Sequence, residues 1–338
     1  MTTTAFDQHV AEQPDAVRAV LAAGPVPRLD PARPVLFTGI GTSLHACRVA
    51  AAWVRELSGG RVHTAALDAH DLALTGVISA ADQIVVVSHR GTKIYPNEVL
   101  RKAAEAGAAT IAVTGAGPAE PVAGTVLRTC PQERASTHTV SYVTGLAVLG
   151  RLVVSLLGDA AAPLGRGLAA VPDALRRTLD LPLAEAAVDA LAGSGPDPAL
   201  LTGTGLDAIT AEEAALKIKE GTYRWAEGMH SEFALHGTPA VFRASTVAYV
   251  IRPEQADGGR TDALLGLLSA IGARSFVSAA DEAADLPFAA VPPLVRPLVG
   301  VVPFHRLVSA AARRLGASPD LTHLEEEPWS SAVRAVKL

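Results

Sequence analysis

A short apolar run, a glycine turn and a helix-spaced stretch follow one another twice in this chain. The first set is Val35-Leu36-Phe37-Thr38, then Gly39-Ile40-Gly41-Thr42-Ser43, then Leu44 to Leu57. The second is Ala199-Leu200-Leu201-Thr202, then Gly203-Thr204-Gly205, then Asp207 to Gly221. Near-continuous apolar runs do not alternate between core and water, so they fit strands covered on both faces. Ile84–Val87, Thr110–Val113, Val247–Ile251, Arg274–Val277 and Leu298–Val302 read as further strands. Helices are expected over about Pro96–Ala106, Thr261–Ile271 and Phe304–Leu315. Strands separated by helices imply a parallel sheet with helices on both faces. The expectation is therefore an α/β chain of two similar doubly wound halves, joined near residues 160–195.

The remaining stretches fill in this plan. Ala11–Ala23 has helical spacing and ends at Gly24 before prolines. Pro172–Leu191 is helical in spacing and is expected to split at Pro182. Val140–Gly158 is apolar enough to resemble a membrane span, but Arg151 past its middle would be costly in a bilayer, so a buried core helix is expected. The domain plan is an N-terminal helix and linker over 1–30, a first α/β domain over 31–160, a helical connector over 161–195, a second α/β domain over 196–322 and a tail over 323–338.

Composition excludes several classes. Hydrophobic residues at 49% and charged residues at 19% do not fit a disordered chain. A net charge of −5 argues against a general binder of nucleic acid or anionic membrane, and 4% aromatics leave few platforms for stacking bases. Two cysteines, Cys47 and Cys130, do not make a disulfide scaffold or a four-cysteine zinc site. A reducing cytoplasm is the expected compartment. Met1–Val10 shows neither the basic nor the apolar region of a signal peptide.

Three segments carry chemistry. A glycine turn leading into a helix presents backbone N–H groups and the positive end of the helix dipole, so Gly39–Ser43, with the hydroxyls of Thr42 and Ser43, reads as an anion site. The alternative is a tight turn with Ser43 as a plain N-cap. The G-x-G there lacks the third glycine of a dinucleotide fingerprint. Ser88-His89-Arg90-Gly91-Thr92-Lys93 gathers two cations and two hydroxyls around Gly91, at the carboxyl edge of a buried strand. Ser88, Arg90, Thr92 and Lys93 are expected to cradle a phosphate or sulfonate, with a solvated basic turn as the alternative. No G-x-x-x-x-G-K-[ST] is present, so a nucleotide triphosphate is not indicated. The third segment runs from Glu212 to Gly237. Glu213, Lys217 and Glu220 share one helical face, and His236 follows in a loop. A carboxylate beside a lysine, with a histidine nearby, suits proton transfer next to a carbonyl; a solvated ion pair and a structural histidine are the alternatives. His230, Glu232 and His236 lack the spacing of a metal-binding helix face, and no metal or cofactor is expected.

On these residues the chain resembles the sugar isomerase (SIS) domain family, in the tandem arrangement of the isomerase half of glucosamine-6-phosphate synthases. Gly41-Thr42-Ser43 matches that family's GTS loop, and Ser88–Lys93 stands where it has a serine-rich SxSGET loop. Glu133 with Ala135-Ser136-Thr137 resembles its E…AST segment. Glu213–Glu220, followed by His236-Gly237, resembles its EGALKLKE…HG stretch. The resemblance covers about residues 30–335 and implies two tandem SIS-type, flavodoxin-like halves. It implies phosphate binding by Thr42, Ser43 and Ser88, and a sugar contact by Ser136 with Glu133 in the same segment. It further implies Glu220 as the base between C1 and C2, Lys217 orienting the linear sugar, and His236 assisting ring opening from the partner subunit of a homodimer.

The departures are specific. The glutaminase half has no counterpart here, so glutamine hydrolysis by that route is not expected. Arg90, Thr92 and Lys93 replace a serine, a glutamate and a threonine. Val333 stands near the position of the family's tail lysine, with Arg334 and Lys337 out of register. The expected activity is aldose–ketose isomerisation of a hexose 6-phosphate or amino-sugar phosphate, of the fructose 6-phosphate or glucosamine 6-phosphate type, with deamination or ammonia-dependent amination as a variant. The alternative is a non-catalytic sugar-phosphate sensor, and a sulfonate- or carboxylate-bearing ligand is a third reading.

Overall fold

The computed structural model describes residues 3–195 and 197–336. The elements run α1 (Ala5–Ala22), β1 (Val35–Gly39), α2 (Thr42–Leu57), β2 (Thr64–Asp68), α3 (Ala69–Leu74), β3 (Gln83–Val87), α4 (Ile94–Glu105), β4 (Ala109–Ala116), β5 (Thr125–Pro131) and α5 (Val140–Leu157). They continue with α6 (Ala162–Asp180), α7 (Glu185–Ala192), β6 (Ala199–Gly203), α8 (Leu206–Thr222), β7 (Ala226–His230), α9 (Ser231–Leu235), β8 (Val247–Ile251) and α10 (Arg260–Ile271). The last are β9 (Arg274–Ala279), β10 (Leu286–Pro287), α11 (Arg296–Gly300), α12 (Val302–Leu315) and α13 (Trp329–Ala335).

Two compact units result. The first consists of Glu12–Glu133, Val140–Ala170 and the stretch from Pro328; the second of the stretch up to Ala11, Arg134–Thr139 and Val171–Glu327. Each holds one five-stranded sheet, ordered β2-β1-β3-β4-β5 in the first and β10-β9-β8-β6-β7 in the second. All pairings are parallel. Counted within its own unit, each sheet has the order 2-1-3-4-5, the flavodoxin-like doubly wound topology. The α/β expectation of two similar halves is met.

Successive side chains of a strand meet opposite helix layers. In the first unit Ile84, Val86 and Ala112 pack with Leu72, Val99 and Leu100 of α3 and α4. In the second, Leu201, Tyr249 and Ile251 pack with Ile218, Phe304 and Val308 of α8 and α12. On its other face Leu200, Ala248 and Val250 meet Leu264 and Leu268 of α10. Helix α5 is buried along most of its length, as expected of a core helix. Val140–Asp180 and Pro293–Leu315 are long and apolar enough to cross a membrane, yet 72% and 83% of their most apolar windows are buried in the protein, which accounts for their composition.

The structure corrects one strand. Leu298–Val302 is not extended: it lies across α11 and the start of α12, with every residue buried. An apolar run covered on all sides reads alike as strand or helix. Pro297 and Pro303 sit in first turns, where a missing N–H costs nothing. The fifth strand of that sheet is instead the two-residue β10. Helix α1 also starts at Ala5 rather than Ala11, because the carboxylate of Asp320 accepts the N–H groups of Ala5 (2.9 Å) and Phe6 (2.8 Å). Pro182 does separate α6 from α7.

Candidate functional site

In the first unit β1 and β3 lie side by side, Thr38 opposite Val86, and the chain departs from them toward opposite edges of the sheet. Their carboxyl ends form the switch point at which open α/β sheets take ligands. Gly39–Ser43 and Ser88–Lys93 are the loops that leave this point. Gly41 adopts φ 55° and ψ −125°, a conformation that a Cβ would disfavour, and α2 starts on it without a side-chain cap. Ser43 therefore stands in the first turn of α2 and is not its N-cap. The positive end of the helix dipole lies at the same place.

The Ser88–Lys93 loop is pinned from behind. The His89 carbonyl accepts the Thr114 hydroxyl (3.0 Å), the Gly115 N–H (2.9 Å) and the Gln132 amide (2.8 Å). The His89 ring accepts the Glu133 N–H (3.1 Å). Gly91 turns at φ 69°, and Asn97 donates to its carbonyl at 3.2 Å. Ser88 is buried, Arg90 and Thr92 are exposed, and Lys93 is half-buried. Burial first, and the Arg90 charge second, hold the Lys93 ammonium below its ordinary pKa. An anion at this loop would oppose both effects by favouring the charged ammonium. Glu133, buried in the same unit, accepts the N–H of Ser141 at 2.8 Å in the first turn of α5.

The second unit repeats the backbone but not the chemistry. Gly205 has φ 55° and ψ −123°, matching Gly41, and Thr202 of β6 lies opposite Val250 of β8. Two residues past that glycine, where the first unit has Ser43, stands Asp207. Arg296 donates to its carboxylate (Nη2 to Oδ2 2.8 Å, Nε to both oxygens 3.2 Å) and also to the Arg252 carbonyl (2.9 Å) just beyond β8. The guanidinium lies 4.9 Å from the centre of the Phe288 ring, and Asp207 and Arg296 are both buried. The pair bridges the two loops of the second switch point.

The other candidate group lies toward the far end of α8. The spacing of Glu213, Lys217 and Glu220 does bring them together: Lys217 Nζ is 2.5 Å from Glu220 Oε2 and 3.6 Å from Glu213 Oε1. Glu213 and Lys217 are fully buried, while the Glu220 side chain is 32% exposed and so stays open to a ligand. Burial raises the Glu220 carboxyl above its ordinary range; Lys217 opposes this and Glu213 reinforces it. His305 of α12 was not visible as part of this group. Burial pushes its imidazole down to about 3, with Glu213 and Lys217 as its charged neighbours. Its helix was expected, but its approach to α8 joins residues about 90 positions apart and leaves no local pattern in the sequence.

Ser136 is half-buried in the same unit, its N–H bonded to the Asp320 carbonyl at 2.9 Å. His236 is not gathered with Lys217 and Glu220: it ends α9 with its side chain 71% exposed and bonded to Glu232 at 2.8 Å. His230 accepts the N–H of Glu232 and caps α9. Asp68, His70 and Asp71 approach one another at the surface of the first unit, with His70 and Asp71 exposed. Val333 and Arg334 lie on α13, in the first unit, and Lys337 lies outside the described residues. Both cysteines are buried, and burial raises both thiols, Cys130 to about 11.

Residues 28–155 match the SIS domain family. Glutamine–fructose-6-phosphate aminotransferase (isomerizing) of Methanococcus maripaludis is 27% identical over 212 residues, 60% of this chain and 34% of the relative. The enzyme of that name from Aeropyrum pernix is 30% identical over 258 residues, 72% of this chain and 40% of the relative. The chain thus spans well under half the length of these relatives. Among solved structures, the C-terminal domain of glucosamine-fructose-6-phosphate aminotransferase from Francisella tularensis superposes with a TM-score of 0.81 at 19% identity, covering 94% of this chain and 98% of that one. Glucosamine-6-phosphate deaminase from Thermotoga maritima gives 0.75 at 17% identity, covering 94% and 97%. Tagatose-6-phosphate ketose/aldose isomerase from Escherichia coli gives 0.72 at 15% identity, covering 96% and 97%. At these identities the likeness concerns the fold.

Proposed function

We propose that this chain, which carries an SIS domain over residues 28–155 and has the fold of tandem-SIS phosphosugar isomerases, interconverts the aldose and ketose forms of a hexose 6-phosphate or amino-sugar phosphate. The observation that carries the reading is the contact of Lys217 Nζ with Glu220 Oε2 at 2.5 Å, with the Glu220 carboxyl raised by burial. A carboxylate so tuned removes the proton at C2 of the open-chain aldose and returns it to C1. The Lys217 ammonium balances the enediolate charge that develops meanwhile. The first unit's Thr42, Ser43, Ser88, Arg90, Thr92 and Lys93 are the assigned phosphate ligands and the second unit's Ser136 the assigned sugar contact, both supported by the family resemblance. If the substrate carries nitrogen at C2, the same proton transfer gives a C2 imine, which water hydrolyses to the ketose and ammonia; the reverse direction takes up ammonia and releases water. The relatives' names support this class: isomerising aminotransferases by sequence, and a deaminase and a ketose/aldose isomerase by fold.

His236 serves a second copy in this reading. Its exposure, with Trp225, Phe233 and Val241 also exposed, supports a homodimer in which it assists ring opening at the partner's site. The same exposure favours the second reading, a sensor that binds a sugar phosphate without turnover. Glu220→Gln discriminates them. The wild type is expected to wash solvent deuterium into C1 of fructose 6-phosphate or C2 of glucosamine 6-phosphate. The variant should bind the sugar and lose the exchange. Exchange surviving in Glu220→Gln removes the base assignment; ligand-induced stabilisation without any wild-type exchange favours the sensor.

A further inference from the structure

Among the described residues three that are not glycine have positive φ: Tyr223 at 60°, Thr322 at 48° and His323 at 61°. They meet at one place. Tyr223 follows the last residue of α8, three positions past Glu220, with its N–H on the Lys219 carbonyl. Its ring lies on His323 with centroids 3.6 Å apart. Its hydroxyl donates to the Ser318 carbonyl (3.0 Å) and accepts the N–H groups of Ser318 (3.2 Å) and His323 (3.3 Å). Left-handed backbone at bulky residues is costly and persists only where surrounding contacts over-determine it; such residues cluster at functional sites.

The segment held by that hydroxyl is itself a junction. The Asp320 carbonyl accepts the N–H of Ser136 at 2.9 Å, and the Pro319 carbonyl accepts that of Thr137 at 3.0 Å. The Asp320 carboxylate caps α1. Gly221, next to Glu220, leaves room for the approach: a Cβ there would lie 2.4 Å from Val308 Cγ1 and 3.4 Å from Pro319 Cβ. One phenol oxygen thus ties the end of the helix that carries Glu220 to the strap on which the Ser136 backbone is hung.

We propose that Tyr223 is a positioning residue that clamps the 318–323 strap to the end of α8 and so fixes Ser136 relative to Glu220. The proposal rests on the assignment of Glu220 as base and of Ser136 as a sugar contact. The phenol touches no substrate; it acts through the strap. Tyr223→Phe removes the hydroxyl and keeps the ring on His323. The expected result is a roughly tenfold fall in kcat for deuterium exchange at C2, with KM for the sugar phosphate within about twofold, because binding through the phosphate is untouched. Amide hydrogen exchange at Ser136 and Thr137 should quicken in the same variant, while amides of the β6–β8 core keep their protection. Full kcat in Tyr223→Phe, or unchanged protection at Ser136 and Thr137, overturns the proposal. If the wild type exchanges no deuterium, the function proposed above fails instead, and the clamp is then decided by the two amides alone. If Tyr223→Phe loses protection throughout the unit, His323→Ala, which removes the stack and retains the phenol, takes its place with the same two readouts and the same deciding outcomes.

Discussion

Replacing Lys217 by methionine isolates the electrostatics at the heart of the second unit. Methionine keeps an unbranched apolar stem and removes the charge that faces Glu213 at 3.6 Å and Glu220 at 2.5 Å. Glu213 has no exposed surface, so removing Lys217 takes the nearby cation from a buried carboxylate, a change that typically costs about 3–5 kcal/mol when a buried pair is broken. Protonation sets a ceiling: neutralising a carboxyl with an ordinary pKa of about 4.3 costs about 3.7 kcal/mol at pH 7 and about 1 kcal/mol at pH 5. His305, now free of the repulsion of Lys217, offers the incoming proton a second seat, and Glu220 adds its own charge to the demand for one. The sign follows from linkage. The stranded carboxyl has a folded pKa above its unfolded one, so stability is intact below about pH 4 and is lost as pH rises through the folded value. Lys217→Met should therefore lose about 2–4 kcal/mol at pH 7 and no more than about 1 kcal/mol at pH 5, which at pH 7 is about 5–15 °C in Tm for a unit of this size. Urea melts at the two pH values read it. Glu213→Gln combined with Lys217→Met should recover most of the pH 7 loss. A loss equal at both pH values, or a double variant as weak as the single one, refutes the reasoning.

Lys93→Ala should weaken binding of a phosphorylated sugar about tenfold, by calorimetry at low salt, and leave the unphosphorylated sugar unaffected; equal effects on both would remove the loop from the anion site. Gly41→Ala forces a Cβ into a backbone of φ 55° and ψ −125°, and should cost about 1–3 kcal/mol in a urea melt together with the phosphate affinity of the first unit; an unchanged melt would mean that the turn relaxes freely.

The strands that sequence made legible, β1, β3, β4, β6, β8 and β9, are the interior ones, and those it did not, β2, β5, β7 and β10, are the four sheet edges. The reason is physical. An interior strand is flanked by strands and covered by helices, so it carries an apolar run, as in Ile84–Val87 of β3, where all four residues are buried. An edge strand such as Thr64–Asp68 is covered less fully and keeps a mixed composition. The Glu213–Lys217–Glu220 constellation was legible because helical spacing alone brings its members together. His305, Asp320 and the Tyr223 clamp were not, since their contacts join residues about 90 to 315 positions apart in the chain. His236 was legible as a residue type, yet its place in a single chain is the surface beside Glu232.

The Arg296–Asp207 pair gives the duplication an asymmetry. Both halves inherit the same doorway, a glycine turn beside the neighbouring strand end. In the second half the doorway is bolted from within by the chain's own carboxylate and guanidinium. A helix whose opening turn is already engaged has only its other end to offer visitors. On α8 that end is where Lys217 and Glu220 stand. Unbolting the pair by a change at Arg296 would leave Asp207 a lone buried charge. The two similar halves thus differ at the same turn: one carries Ser43 there, the other a buried ion pair.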